Sequence, residues 1–181
     1  MKNTEKTSRF YISTAIILLT ICAAAALVLA GLNKLTADRI AENKAAEEKN
    51  AMLSLYPDAE DFVRVDYATG EVKSVYEVKK GGVTSAYVIN TSTKGFSDNI
   101  EMSIGIDADG VLRGVKVVST SETTGFSNEQ KRNEYFAKYY GATSFIHVDA
   151  ISGATKSSGA AARAIEAAFE AYNAVAKGEG R

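Results

Sequence analysis

Apolar and polar positions divide the chain into three textures. From Phe10 to Asn33 runs FYISTAIILLTICAAAALVLAGLN, 24 residues without Asp, Glu, Lys or Arg. A helix needs about 20 apolar residues to cross a hydrocarbon core, whereas the apolar part of a cleaved signal peptide is roughly 7 to 15 long. The pattern therefore predicts one uncleaved transmembrane helix over 10–33, preceded by a short segment, 1–9. Lys2, Lys6 and Arg9 stand before the span; Lys34 and Arg39 follow it with Asp38 between them. Basic flanks favour the cytoplasmic side, so the expected topology is a single pass through the cell (inner) membrane, N-terminus inside and the bulk of the chain on the extracytoplasmic face. Cys22, in mid-span, reads as a small packing residue.

The second texture, 34–57, is rich in Ala, Glu and Lys, has no glycine and ends at Pro57, the only proline. It predicts a polar helix of several turns with sparse apolar positions at Leu35, Ile40, Met52, Leu53 and Leu55, either a stalk or the first helix of the following domain. From 58 to 181 the texture changes again. FVRVDYA, EVKSVYEVKK, VTSAYVIN, IEMSIGID and VLRGVKVVS are short, β-branched and aromatic, and are separated by Thr69-Gly70, Gly81-Gly82 and Asp109-Gly110. They predict strands joined by turns. In the fourth, Ile100, Met102, Ile104 and Ile106 alternate with Glu101, Ser103 and Gly105, which predicts a half-buried antiparallel strand. A helix is expected over about 127–141 with Ser127 as its cap, then a brief strand at SFIHV, 144–148. A last helix is expected over about 157–176, with Ala161, Ile165, Ala168, Phe169, Tyr172 and Val175 on its apolar face. The fold class that follows is α+β: a small antiparallel sheet with packed helices, carried on a single N-terminal transmembrane helix.

Composition narrows the chemistry. With 21 basic against 22 acidic residues there is no broad basic field, so nucleic acid is not an expected partner. One cysteine and one histidine exclude an iron-sulfur cluster or a Cys/His zinc site built from this chain alone, so no metal site is expected. No nucleophile-histidine pair, acid/base dyad or Gly-x-Gly-x-x-Gly after a strand stands out, and no catalytic residue is assigned. Any redox chemistry would have to come from an organic cofactor.

The stretch DAISGATKSSGAA, 149–161, has two readings. Asp149, Ser152, Thr155 and Ser157 are capping types, and Gly153 allows an unusual turn, so it serves as an ordinary helix start. The same start offers free N–H groups and a positive dipole end to a phosphate, which small side chains let approach. Asp149 followed by Ser152-Gly153-Ala154-Thr155 resembles the flavin-attachment motif of covalent FMN-binding domains, the family of the G subunit of Rnf ion-translocating electron-transport complexes and the C subunit of the sodium-pumping NADH:quinone reductase. In that family a flavin transferase esterifies FMN through its phosphate to the hydroxyl of the final Thr. Here the resemblance makes Thr155 the acceptor, with Ser152, Gly153, Ala154, Lys156 and Ser157 around it and Asp149 as the upstream acid. A second patch, GIDADGVLRGVKVVSTSETTGFS, resembles the family's strand-turn-strand unit and flavin loop, bringing in Glu122, Thr123, Thr124 and Gly125. Thr124 replaces the usual Pro, and Phe126 stands where Leu is usual. Glu122 can equally be read as a solvated strand-end charge, Phe96 of KGF as a flavin neighbour or a core residue, and His147 as a phosphate contact or an exposed side chain.

The resemblance implies a redox subunit that is not catalytic alone, carrying FMN by a covalent phosphoester. It would work within an Rnf-type ferredoxin:NAD oxidoreductase among other membrane and peripheral subunits. The readings that stand beside it are a free-standing flavinylated electron carrier, the quinone reductase C subunit, a pilin-like surface protein and a solute-binding module. Against the pilin reading, Thr14 occupies the position of the acid that pilins usually carry early in their apolar segment.

Overall fold

The computed structural model describes residues 2–122 and 125–176, with side chains at Tyr11 and from Thr14 onward. In chain order the elements are α1 (Lys2–Leu55), β1 (Asp61–Val65), β2 (Val72–Lys80), β3 (Val83–Lys94), β4 (Asn99–Asp107), β5 (Leu112–Ser119), α2 (Glu129–Ala137) and α3 (Thr155–Ala176). The chain divides into two compact units, residues 1–45 and 46–181.

The first unit is helix alone. Nothing between Gly31 and Pro57 interrupts helical geometry, so the apolar and polar textures read apart in the sequence form one continuous α1 that ends two residues before the proline. Large apolar side chains such as Ile16, Leu19, Leu27 and Leu29 are more than half exposed. A helix that bares leucine and isoleucine in this way is unfavourable in water and suited to lipid. Among the described residues α1 is the one helix long and apolar enough to cross a membrane.

The second unit is an α+β fold. All five strands join as an antiparallel meander in the order β1-β2-β3-β4-β5. Helix α3 lies on one face of the sheet. Its Ala160, Ala161, Ala164, Ile165, Ala168 and Phe169 meet Ile89, Ile100, Met102, Ile104 and Ile106 in the main core. The run of alanines keeps helix and sheet close, and α2 adds Tyr135 and Phe136 at one end, with Phe126 set edge-to-face on Phe136 at 6.3 Å. A smaller cluster on Met52, Val78, Ala86 and Val88, with Leu55, Tyr56, Phe62 and Tyr76 packed around it, closes the opposite side.

Four local expectations change. β4 is buried on both faces, not half-buried. A side chain at Gly105 would strike the Tyr56 ring, so the small-residue side of the strand is covered by the residue just after α1, and the Ser103 hydroxyl is satisfied there by donating to Asn90 Oδ1 at 2.7 Å. β3 runs to Lys94, because the polar residues 91–94 pair with Asn99–Met102 of β4. SFIHV is not a strand. The backbone groups of Leu112 at that edge of β5 are already bonded to Gly141 and Ala142, and Phe145 and Val148 pack on the core as coil. Helix α2 is capped by Asn128, whose Oδ1 accepts from Lys131 N–H at 3.0 Å, not by Ser127.

Candidate functional site

At the end of β3 the chain turns through Gly95, Phe96, Ser97 and Asp98 before entering β4, and β5 leads to Glu122. Glu122 is only 6% exposed, which an unpaired carboxylate would not tolerate. It is fully engaged. One oxygen accepts from Ser97 N–H at 3.0 Å and Asp98 N–H at 3.3 Å; the other accepts from Phe96 N–H at 3.1 Å and from the hydroxyl of Ser157, in the first turn of α3. Burial by itself would raise the Glu122 pKa; the Ser157 hydroxyl and the three backbone N–H groups outweigh it and hold the carboxyl below its ordinary value. Gly95 is required by this arrangement. A Cβ there would strike Glu122 Oε1.

The start of α3 is built by a tight turn. Ala154 N–H bonds Ile151 O at 2.9 Å, and Gly153, at the third position of that turn, has φ +78°, which side-chain-bearing residues rarely adopt. Behind it the Ser158 hydroxyl accepts from Ile151 N–H at 3.1 Å, and the buried Tyr135 hydroxyl donates to Ser158 O at 3.1 Å. Gly125 presses on the same turn, since a Cβ there would come within 2.8 Å of the Ala154 methyl. Part of the small-residue pattern is thus packing: Gly153 for its backbone angle, Gly125 and Ala154 for each other.

The remainder points outward. Ala154 occupies the N-cap position and offers no side-chain acceptor. Among the described residues nothing accepts from the backbone N–H groups of Thr155, Lys156 or Ser157, the orphan donors of the helix start. They sit at a groove of about 360 Å³ lined by Phe96, Gly153, Ala154, Thr155, Lys156 and Ser157. Thr155 is exposed at its edge, Phe96 is 58% exposed, and the Lys156 ammonium lies 5.4 Å from the centre of the Phe96 ring. The groove thus combines uncapped N–H donors, one cation, a free hydroxyl and an aromatic face. That donor set suits a phosphorylated aromatic ligand, and the volume lies at the small end of the range of ligand sites.

The residues singled out in the sequence do not all meet there. Asp149 and Ser152 line a different groove, of about 320 Å³, together with Lys131, Glu134, Tyr135, Lys138, Ala150 and Ile151 of the α2 side. Glu122 lies buried behind the first groove, and Gly125 supports the turn. Thr123 and Thr124 lie outside the described residues. His147 is exposed and lines neither groove. Sequence reading noted Gly95 only as the glycine ahead of Phe96 in KGF, and missed its place beside Glu122 and the Ser97 and Asp98 amides.

Comparison with known proteins gives the site its context. The FMN-binding domain model matches residues 95–170, from the Gly95 loop through Glu122 and Thr155 into α3, and the model of the RnfG N-terminal region matches residues 1–55. The G subunit of the proton-translocating ferredoxin:NAD(+) oxidoreductase complex of Clostridium ljungdahlii is 26% identical over 160 residues, covering 82% of this chain and 84% of that one. The G subunit of the Na(+)-translocating ferredoxin:NAD(+) oxidoreductase complex of Acetobacterium woodii is 27% identical, covering 90% and 91%. The G subunit of an ion-translocating oxidoreductase complex of Haemophilus influenzae is 28% identical over 117 residues, 59% of this chain and 56% of its own. The two matched regions together span most of the chain, and it belongs to the RnfG family, with an RnfG N-terminal region followed by an FMN-binding domain.

Proposed function

We propose that this chain is the membrane-anchored, FMN-carrying electron-transfer subunit of an Rnf-type ion-translocating ferredoxin:NAD oxidoreductase complex, with the flavin joined through its phosphate to Thr155. The observation that carries the reading is the uncapped start of α3, where the exposed Thr155 hydroxyl and the free N–H groups of Thr155, Lys156 and Ser157 border the Phe96 groove within the region matched as an FMN-binding domain. Bound FMN supplies one- and two-electron chemistry. The residues' part is to hold and orient it. Thr155 provides the ester oxygen; the N–H groups and Lys156 balance the charge that a phosphodiester retains; and the Phe96 ring offers an apolar wall.

Such a subunit relays electrons and needs partners on both sides, the other subunits of the complex, and a flavin transferase to form the ester. A covalent bond suits a carrier facing the extracytoplasmic side, where lost FMN is not readily replaced. The apolar stretch from Phe10 to Asn33 contains no Asp, Glu, Lys or Arg, so ion passage belongs to other subunits. The relatives' names differ in the ion, proton in one and sodium in the other, so similarity to these G subunits does not select between them.

The test is attachment. Purified from membranes of cells that also make the transferase, the chain gives a fluorescent band on a denaturing gel and an intact mass raised by one FMN less the water lost in forming the ester; Thr155→Val gives neither. A fluorescent Thr155→Val band would move the ester elsewhere, and a bare polypeptide in the native protein would overturn the covalent reading.

A further inference from the structure

The Glu122 carboxylate accepts four hydrogen bonds from two separate parts of the chain, the backbone of Phe96–Asp98 and the first turn of α3. Phe96 forms one wall of the groove, and the turn that carries Ser157 also carries Thr155 and Lys156. We propose that Glu122 is a positioning residue: it does not touch the ligand, but ties the Phe96 wall to the helix start and so sets the width and facing of the groove between them. The inference rests on the FMN reading for what occupies the groove, but not for the tie itself.

Three independent features support it. The carboxylate is turned inward, with both oxygens occupied by protein donors and the residue 6% exposed. Those bonds converge because residue 95 is glycine, whose absent Cβ leaves the space that Glu122 Oε1 and Cδ fill. The loop is held less firmly elsewhere: Gly95 N–H bonds Asp98 O at 2.9 Å, and the Lys94 ammonium reaches Ser97 O only at 3.3 Å, with both Lys94 and Asp98 largely exposed. Removing the carboxylate therefore releases three amides and breaks the hydrogen-bonded link from this loop to the first turn of α3, leaving the Lys156 ammonium over the Phe96 ring as the contact between them.

Glu122→Gln keeps the size of the side chain but puts an NH2 group where an acceptor stood, so one set of donors loses its partner. The experiment uses the full chain in detergent. Hydrogen exchange at Phe96, Ser97 and Asp98 is read with and without flavin attached, and the visible circular dichroism of the attached flavin is read alongside. Exchange at the amides that lose their acceptor, either Phe96 or Ser97 and Asp98, is expected to quicken by about tenfold or more, because hydrogen bonds to a charged acceptor are the strong ones. The amides of α3 from Ala160 onward should keep their protection, and the flavin signal should change while the flavin remains covalently attached. Gly95→Ala, which pushes the loop off the carboxylate, should reproduce both effects. If Glu122→Gln does not fold, Ser157→Ala takes its place: it cuts only the tie to α3, and should alter the flavin signal while leaving exchange at the loop amides slow.

Unchanged exchange at Phe96–Asp98 in Glu122→Gln would overturn the proposal. So, in that variant, would quickened exchange with an unaltered flavin signal, or an altered signal with unchanged exchange, which would mean direct contact with the ligand; in Ser157→Ala the overturning result is an unaltered flavin signal. If the native chain carries no flavin at all, the FMN reading fails, and the exchange measurement still decides the tie.

Discussion

At the scale of single residues, the site depends on a buried charge whose protonation the protein controls. The Glu122 carboxyl is held below its ordinary pKa because the ionised form accepts bonds that the protonated form accepts less well. A carboxyl depressed on folding binds its proton more readily in the unfolded chain. It therefore adds stability at pH values above the unfolded pKa and loses that contribution as the pH falls toward the folded one. Glu122→Gln has no such titration. The thermal midpoint of the native chain should thus exceed that of Glu122→Gln at pH about 7, and the gap should narrow as the pH is lowered toward about 3. Melting curves of the two proteins across that range check it; a constant gap would mean that the four donors do not favour the ionised form.

At the scale of elements, the sheet grips the end of α1 through absent side chains. Gly105 and Gly114 face each other across β4 and β5, and a Cβ on the first would lie 2.9 Å from the Tyr56 ring, on the second 2.7 Å from Leu55 Cδ2. The two contacts differ in how they can yield. Tyr56 is fixed from its far end, since its hydroxyl donates to Asp107 at 3.1 Å, whereas a leucine methyl can rotate away. Gly105→Ala is therefore an overpacking substitution costing about 1–3 kcal/mol. In Gly114→Ala the clash is closer but falls on a single rotatable methyl, and it is offset by the roughly 0.5–1 kcal/mol gained when a strand residue ceases to be glycine. Thermal melts should show a midpoint lowered by roughly 5–10 °C for Gly105→Ala and changed by no more than about 2 °C for Gly114→Ala. Equal shifts would show that the hydroxyl bond does not fix the ring.

The same element scale explains what was legible in the sequence. The alternation of Ile100 to Ile106 gave one face of β4 its core role, and the apolar stripe of α3 was readable from Ala161 to Tyr172, because both patterns are local and periodic. Double-sided burial of β4 was not, because the cover on its second face comes from Tyr56, some fifty residues earlier. The polar end of β3 became strand through its partner and not through its own residues. Asn128 and Ser127 are adjacent capping types, and only the geometry selects the one that reaches Lys131. The motif around Thr155 was readable as a helix start. The reason for Gly95 was not, because it lies in a carboxylate 27 positions further along the chain.

At the scale of the whole molecule, the remaining question is which side of the membrane carries the groove. In the immediate flanks the leading segment bears Lys2, Lys6 and Arg9, against Lys34 and Arg39 with Asp38 just beyond the span, and on that excess we propose that the front lies in the cytoplasm. Under that proposal residues 46–181 lie outside. Cys22 is the only cysteine, so a Cys22→Ser chain provides a clean background for single reporters. Ala68 is exposed at the turn leading into β2, and Ala68→Cys in that background should react with a membrane-impermeant maleimide in intact cells or spheroplasts. Asn3→Cys should react only after the membrane is permeabilised. The reverse pattern would put the FMN-binding domain in the cytoplasm, where free flavin is at hand and the rationale for a covalent tether is lost. Shifting the charge balance tests the cause as well as the outcome: Lys2→Gln, Lys6→Gln and Arg9→Gln together leave the following flank as the more basic one, and labelling of Ala68→Cys in intact cells should fall in that triple variant, because the flanking charges set the orientation.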